Sequence, residues 1–283
     1  MTPQNYADFI DIVRRKTGIV LGPDKQYLVE SRLKPLAETS GVKDVDTLLQ
    51  KIFQFGEERL QDLVVDAMTT NETYFFRDDT PFKSLAEALP EIAERRHGAP
   101  VRIWSAACST GQEPYSMAII AKEVRERHPQ VRVDIVATDI SERCLNKSRA
   151  GMYSQFEVQR GVSMRRLATH FEQDGPSWRI KRDLREMISW RKVNLLENTA
   201  ALGRMDIIFC RNVLIYFSAE HRRSVLERLS SQVADDGLVF LGGSENLVGV
   251  TTLLEPADKP HALRRARGPS ALPRKTDILA ASK

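Results

Sequence analysis

Three short stretches carry residue types that could do chemistry. The first is Ala106-Ala107-Cys108-Ser109-Thr110-Gly111-Gln112-Glu113-Pro114-Tyr115-Ser116. Small residues there let a backbone approach a ligand closely, and a helix opening at Glu113-Pro114 adds a partial positive charge. There is no G-x-G-x-x-G and no G-x-x-x-x-G-K-[ST], so ordinary dinucleotide and ATP sites are disfavoured. A tight turn without a ligand remains open. The second is Asp139, which ends the run Ile135-Val136-Ala137-Thr138-Asp139. An acid after a strand can accept both hydroxyls of a ribose; Asp139-Ile140-Ser141-Glu142 can equally be a helix cap. The third is Cys210-Arg211-Asn212-Val213-Leu214-Ile215-Tyr216-Phe217. A cation and an amide directly after an apolar strand are more than packing requires. Phe217 reads as core, while Tyr216 has a hydroxyl that needs a partner if buried.

These stretches need elements to hold them. Tyr6, Phe9, Ile10 and Val13 fall at helical spacing, and Gly18 follows as a stop. Further helices are expected over 24–37 (Leu28, Leu33 and Leu36 on one side), 44–55 and 57–68. Nothing before residue 100 reads as a strand. Residues 69–81 break the periodicity and read as a linker, followed by a helix over 82–96. From residue 101 strands alternate with helices: strands at 101–106, 131–138, 205–210 and 238–241, helices at 113–127 and 219–233. That grammar predicts a parallel sheet covered on both faces. Residues 178–181 and 187–193 read as antiparallel strands joined by the charged turn Arg182-Asp183-Leu184-Arg185, and 163–170 as a short helix. Together they suggest a β-rich insertion.

Four motifs in order resemble the CheR family: Thr70-Asn71-Glu72-Thr73-Tyr74-Phe75-Phe76-Arg77; Trp104-Ser105 and the loop that follows it to Ser116; Asn194-Leu195; and Arg211-Asn212-Val213-Leu214-Ile215-Tyr216-Phe217. The resemblance spans about residues 1–263. It implies an α/β fold: a Rossmann-like class I methyltransferase domain with an antiparallel β-subdomain insertion, preceded by a small all-α domain. The expected boundaries are 1–70 for the helical domain, 71–90 for a linker acting as lid, 91–263 for the methyltransferase domain with its insertion at 145–192, and 264–283 for a flexible basic tail. The resemblance further implies S-adenosylmethionine (SAM) as cofactor and receptor glutamates as methyl acceptors. Carried over motif by motif, Asn71, Thr73, Arg77, Glu113, Asp139, Asn194, Leu195, Arg211 and Asn212 would bind the cofactor. Tyr216 would sit at the methyl-transfer centre. The implied partners are methyl-accepting chemotaxis receptors with acidic helices, met by Lys25, Arg32 and Lys34 on the second helix. A monomer working in the cytoplasm at receptor arrays is expected.

Composition bounds the alternatives. The chain has 283 residues, 42% of them hydrophobic, enough for a sizeable core. No apolar run approaches the ~20 residues of a membrane span, and the first residues do not read as a secretory signal. Cys108, Cys144 and Cys210 lack C-x-x-C spacing, so neither a disulfide framework nor a zinc site is expected. The five histidines are scattered, and no metal is expected. A pI near 9.0 invites a nucleic-acid reading. The charge, however, is local: net −4 over residues 1–90, +6 over 141–192 and +5 over 264–283. That distribution suggests a basic insertion docking an acidic protein. A base-amino methyltransferase would carry N/D-P-P-Y/F where this chain has Arg211-Asn212-Val213-Leu214. A non-catalytic module binding an anionic surface is the rival from another class.

Overall fold

The computed structural model describes residues 1–55, 58–245 and 250–266. Helix α1 (Pro3–Thr17) starts under a Thr2 cap with proline in its first turn. It stops at Gly18, whose φ of 77° places it in the left-handed region. Helices α2 (Gln26–Thr39), α3 (Val45–Phe55) and α4 (Glu58–Met68) pack with it. Their shared core includes Phe9, Val13, Leu48, Leu49 and Met68. The buried face of α2 is Val29, Leu33 and Ala37, spaced by four; Leu28 and Leu36 are only half-buried. The expected break at Gly56 lies outside the described residues.

Residues 69–79 form no helix or strand. Phe75 and Phe76 are nevertheless buried. Phe75 meets Tyr153 and Phe171 edge-on at 5.0 and 5.5 Å, and Phe76 meets Phe82 at 5.6 Å. Positive φ at Phe76, Asp78 and Asp79 shows how sharply the chain bends to place them. The linker is thus anchored by two aromatic side chains, worth several kcal/mol at ~1.5–3 kcal/mol per buried large apolar group.

The remainder is a sheet with helices. In chain order it comprises α5 (Thr80–Arg95), β1 (Val101–Ala106), α6 (Gln112–Arg127), β2 (Val133–Asp139) and α7 (Glu142–Ala150). Next come β3 (Met152–Ser154), α8 (Gln155–Gln159), α9 (Met164–His170), β4 (Phe171–Asp174), β5 (Ser177–Ile180), α10 (Arg182–Arg185) and β6 (Ile188–Lys192). The chain then runs through β7 (Met205–Cys210), α11 (Ala219–Gln232), β8 (Val233–Leu241), β9 (Leu254–Pro256) and β10 (Ala262–Arg265). The main sheet has the order β6-β2-β1-β7-β8-β10-β9. Its first five strands are parallel, and β10 runs antiparallel to β8 and β9. The chain moves outward from β1 on one side, then returns to lay β7 on the other. This makes β1/β7 the switch point where open α/β sheets bind ligands.

The insertion differs from its sequence reading. Residues 178–180 do form a strand, but β5 pairs with β3 and β4 in a separate antiparallel sheet. Residues 188–192 instead join the main sheet, parallel to β2 from Ile135↔Ile188 to Asp139↔Lys192. Arg182-Asp183-Leu184-Arg185 lacks the Gly or Asn of a two-residue hairpin turn; it is helical turn α10 with Leu184 buried. The antiparallel subdomain therefore ends before β6. Strand β8 begins at Val233, earlier than expected, because Asp235 and Asp236 sit exposed at a register shift opposite Met205/Ile207. Strand β10 includes Arg264 and Arg265, which pair with Glu255 and Asp235 at 2.9 and 3.1 Å. The folded chain thus continues two residues into the expected tail; residues 267–283 lie outside the described part. Among the described residues, no helix is long and apolar enough to cross a membrane.

Candidate active site

The loop after β1 is built from left-handed positions: Ala107 (φ 57°), Ser109 (φ 51°) and Gly111 (φ 93°). A Cβ at Gly111 would lie 2.8 Å from Ser148 Oγ and 2.9 Å from Tyr153 Oη, so only glycine fits. Cys108 N donates to Thr138 O at 2.9 Å, pinning the loop over β2. Asp139, 6% exposed, accepts from Ser109 N at 2.7 Å and from Ser141 N at 2.9 Å. The cap of α7 is Ser141, not Asp139. Burial, against these hydrogen bonds, raises the Asp139 carboxyl above its usual range. Ser109 Oγ donates to Asn71 O at 2.9 Å and so joins loop to linker.

The loop after β7 provides the opposing wall. The Arg211 side chain is 1% exposed. It donates to Glu113 Oε2 (3.0 Å), Asp78 Oδ2 (2.7 Å) and Arg77 O (2.8 Å). Its Nε is buried without a partner. Glu113 also accepts from Ser105 Oγ at 2.8 Å. Burial raises the Glu113 carboxyl, with Arg211 pulling against it. Asn212 adopts φ 59°. Arg77 donates to Glu72 O at 3.0 Å, and its guanidinium stands 5.6 Å from the Tyr74 ring centre.

The helical domain closes the third side. Ile19 bridges Phe217 and Val20 N donates to Tyr216 O at 2.9 Å. Asn194 Nδ2 donates to Lys16 O at 2.7 Å, while its Oδ1 accepts from Leu196 N at 3.0 Å. Lys192 pairs with Asp62 at 2.8 Å.

These parts enclose one cavity of about 930 Å³, including open solvent at its mouth. Asn71, Thr73, Arg77, Glu113, Asp139, Asn194, Leu195, Arg211, Asn212 and Tyr216 all line it. Asn194 and Arg211 line it with much of their hydrogen-bonding capacity spent on neighbouring protein groups. Lys25, Arg32 and Lys34 lie elsewhere. Lys25 lies not on α2 but in the 3-10 turn Pro23–Lys25 before it, where proline and Asp24 set a separate turn, and pairs with Asp24 at 2.9 Å; Lys34 is exposed. Arg32 is half-buried and donates to Met68 O at 2.8 Å and Thr70 Oγ1 at 3.3 Å, bracing the linker. Sequence reasoning missed Thr17 and Ile19, which reach the cavity from the end of α1. It also missed Glu245, which holds the β7 loop and has no motif to announce it. Among the described residues, no group of His, Cys, Asp or Glu is arranged to hold a metal ion.

A parallel sheet reversing at β1/β7, with a cavity at its carboxyl end and a helical domain alongside, is the Rossmann-like architecture expected of a class I methyltransferase. Comparison with known proteins agrees. Residues 71–263 match the family described as CheR methyltransferase, SAM binding domain, and residues 4–69 match CheR methyltransferase, all-alpha domain. Chemotaxis protein methyltransferase 1 of Pseudomonas aeruginosa is 45% identical over 248 residues, 86% of this chain and 90% of that one. The chemotaxis protein methyltransferase of Vibrio anguillarum is 44% identical over 259 residues, 90% of this chain and 94% of that one. Among solved structures, glycopeptide N-methyltransferase MtfA complexed with SAM is similar at 14% identity and a TM-score of 0.33, over 56% of this chain and 53% of that one. The chain belongs to the CheR methyltransferase family, and its cofactor is SAM.

Proposed function

We propose that this enzyme methylates glutamate side chains of chemotaxis receptors, with the cavity residues named above holding the cofactor. The observation that carries this reading is convergence: the linker, the β1 and β7 loops, the segment after β6 and the end of α1 all line one cavity. The donor set fits SAM. Asp139 keeps acceptor capacity for ribose hydroxyls after its two backbone hydrogen bonds. Glu113 and the linker groups around Asn71 and Arg77 offer acceptors for an ammonium and donors for a carboxylate. When bound, SAM supplies an electrophilic sulfonium methyl.

The acceptor carboxylate is already ionised at pH 7. With SAM bound, the methyl would pass from its sulfonium sulfur to a carboxylate oxygen, leaving a methyl ester and S-adenosylhomocysteine. No strong base is required. The protein's task is to exclude water and align the carboxylate about 3 Å from the methyl. Tyr216, at the cavity wall beside Asn212, is assigned to that end. The exposed Lys34, with the half-buried Lys25 that Asp24 already pairs, offers an acidic receptor helix a basic approach; Arg32 acts from behind them on the linker.

The test is incubation with methyl-labelled SAM and receptor-containing membranes, followed by alkaline release of methanol and mass mapping. Label in alkali-labile glutamyl esters is expected. Label in nucleic acid, or none in protein, overturns the reading. Tyr216→Phe and Arg77→Ala with unchanged turnover and cofactor affinity would overturn the residue assignment.

A further inference from the structure

Glu245 follows β8, outside the motifs that announce the site. Its carboxylate is nevertheless committed to the loop that carries Asn212 and Tyr216. Oε2 accepts from Asn212 N at 2.9 Å and Gly242 N at 2.6 Å. Oε1 accepts from Val213 N at 2.9 Å and Leu214 N at 2.7 Å. Three successive backbone N–H groups aimed at one anion form a concave nest, which here holds a side chain of the same chain. The nest is shaped by Asn212 at φ 59°, the left-handed region that asparagine enters more readily than most residues with a side chain. Gly242 completes the fit: a Cβ there would come within 2.8 Å of both Asn212 N and Glu245 Oε2.

We propose that Glu245 is a positioning residue for methyl transfer. Its carboxylate holds the turn over 212–216 in the one conformation that sets Asn212 and Tyr216 at the reacting end of the cavity. The claim rests on the assignment of that turn to the methyl-transfer site. It goes beyond that assignment by naming what enforces the geometry. Four N–H donors need both carboxylate oxygens. A glutamine offers one oxygen and turns an NH2 toward two of the donors, so Glu245→Gln tests the charge and the second acceptor at nearly constant volume.

The experiment measures kcat, KM for receptor and SAM, and the thermal midpoint for Glu245→Gln, Tyr216→Phe and the double variant, on the full chain below the lowest midpoint. Expected is a fall in kcat of more than 10-fold for Glu245→Gln with receptor KM changed less than 3-fold. In the Tyr216→Phe background the same change should cost less than 3-fold, because a residue acting through Tyr216 has less left to lose. Glu245→Asp keeps both oxygens but retracts them, and should fall between wild type and Glu245→Gln. It also serves if the glutamine variant does not fold. A folded Glu245→Gln with kcat within 2-fold of wild type overturns the proposal. So does a loss that is fully additive with Tyr216→Phe, or failure of both Glu245 variants to fold, which marks a purely structural role. If Tyr216→Phe is itself wild-type, the site assignment fails instead, a separate outcome.

Discussion

Replacing Arg211 by methionine leaves a carboxylate stranded, and the cost can be worked from its surroundings. The Asp78 side chain is 47% exposed and falls back on water when its partner goes, so that pair contributes under ~1 kcal/mol. Glu113 cannot do the same: its side chain is 12% exposed and retains only Ser105 Oγ. It either stays charged without its cation, at about 3–5 kcal/mol, or takes up a proton. Protonating a carboxyl whose ordinary value is 4.5 costs about 3 kcal/mol at pH 7 but under ~1 kcal/mol at pH 5. The cheaper route sets the ceiling, so the expected loss is at most about 3 kcal/mol at pH 7, because the Glu113 carboxyl is already raised in the wild type, and it shrinks as pH falls. The sign is that of a folded-state carboxyl raised above its unfolded value: the folded chain holds the proton more tightly and gains relative stability on acidification. In thermal terms the ceiling is a drop of roughly 6–12 °C at pH 7. Unfolding of wild type, Arg211→Met, Glu113→Gln and the double variant between pH 5 and 8 checks it. In the Glu113→Gln background the pH dependence should vanish and most of the loss with it. An Arg211→Met penalty that is equal at pH 5 and pH 7, or undiminished without the Glu113 charge, would refute the reasoning.

Three further outcomes follow from the same geometry. Gly161→Ala places a Cβ 1.9 Å from Phe75 O at a φ of +107°; it should cost ~2 kcal/mol or more and weaken S-adenosylhomocysteine binding, since the linker must lift. Unchanged calorimetric affinity and thermal midpoint would contradict that docking. Burial raises both Asp139 and Glu113, and a ligand that hydrogen-bonds their charged forms pulls them back down. Cofactor binding should therefore release protons near pH 5 and almost none at pH 8, read by calorimetry in buffers of different ionisation enthalpy; proton uptake at pH 5 would be the wrong sign. Lys192→Glu breaks an ion pair whose side chains are 42% and 63% exposed. It should cost under ~1 kcal/mol, diminish in high salt, and be reversed in part by adding Asp62→Lys.

What could be read in the sequence depended on whether a residue's partner was local. Strands β1 and β7 were legible to the residue because a buried parallel strand is a short apolar run with a polar end. Helix α11 was similarly legible, with Ser218 capping it. The partner of β6 was not, because Ile188-Ser189-Trp190-Arg191-Lys192 alternates as well for an edge of one sheet as for a hairpin in another. Only the absence of a turn residue in 182–185 separated the two. The β1 loop, Asp139 and the β7 loop were readable as candidates because they sit at strand ends, whereas Asn71, Thr73 and Arg77, on a linker without periodicity, were named only through the family resemblance. Arg32 was placed on a face from periodicity alone, which cannot show that its guanidinium reaches back to Met68 O. Glu245 is one acid after a Gly-Gly-Ser stretch; its meaning depends on the turn over 212–214, 31 to 33 residues away.

Charge shows the same dependence on partners. Counted by segment, 141–192 is net +6 and reads as a patch open to an acidic protein. Three of its basic side chains are engaged by acids outside the segment. Arg160 pairs with Glu72 of the linker at 2.9 Å and lies 4.3 Å from the Tyr74 ring. Arg166 grips Glu123 of α6 through two 2.8 Å hydrogen bonds and stands 4.0 Å from the Phe76 ring. Lys192 reaches Asp62 of the helical domain. The acidic complement is supplied in part by residues 1–90, net −4. Exposed pairs add little stability individually, but opposite net charges on two parts of one chain fix which surfaces meet. Arg160–Glu72 and Lys192–Asp62 tie this segment to the linker and the helical domain, and the basic charge not engaged in such pairs is what an acidic partner would meet.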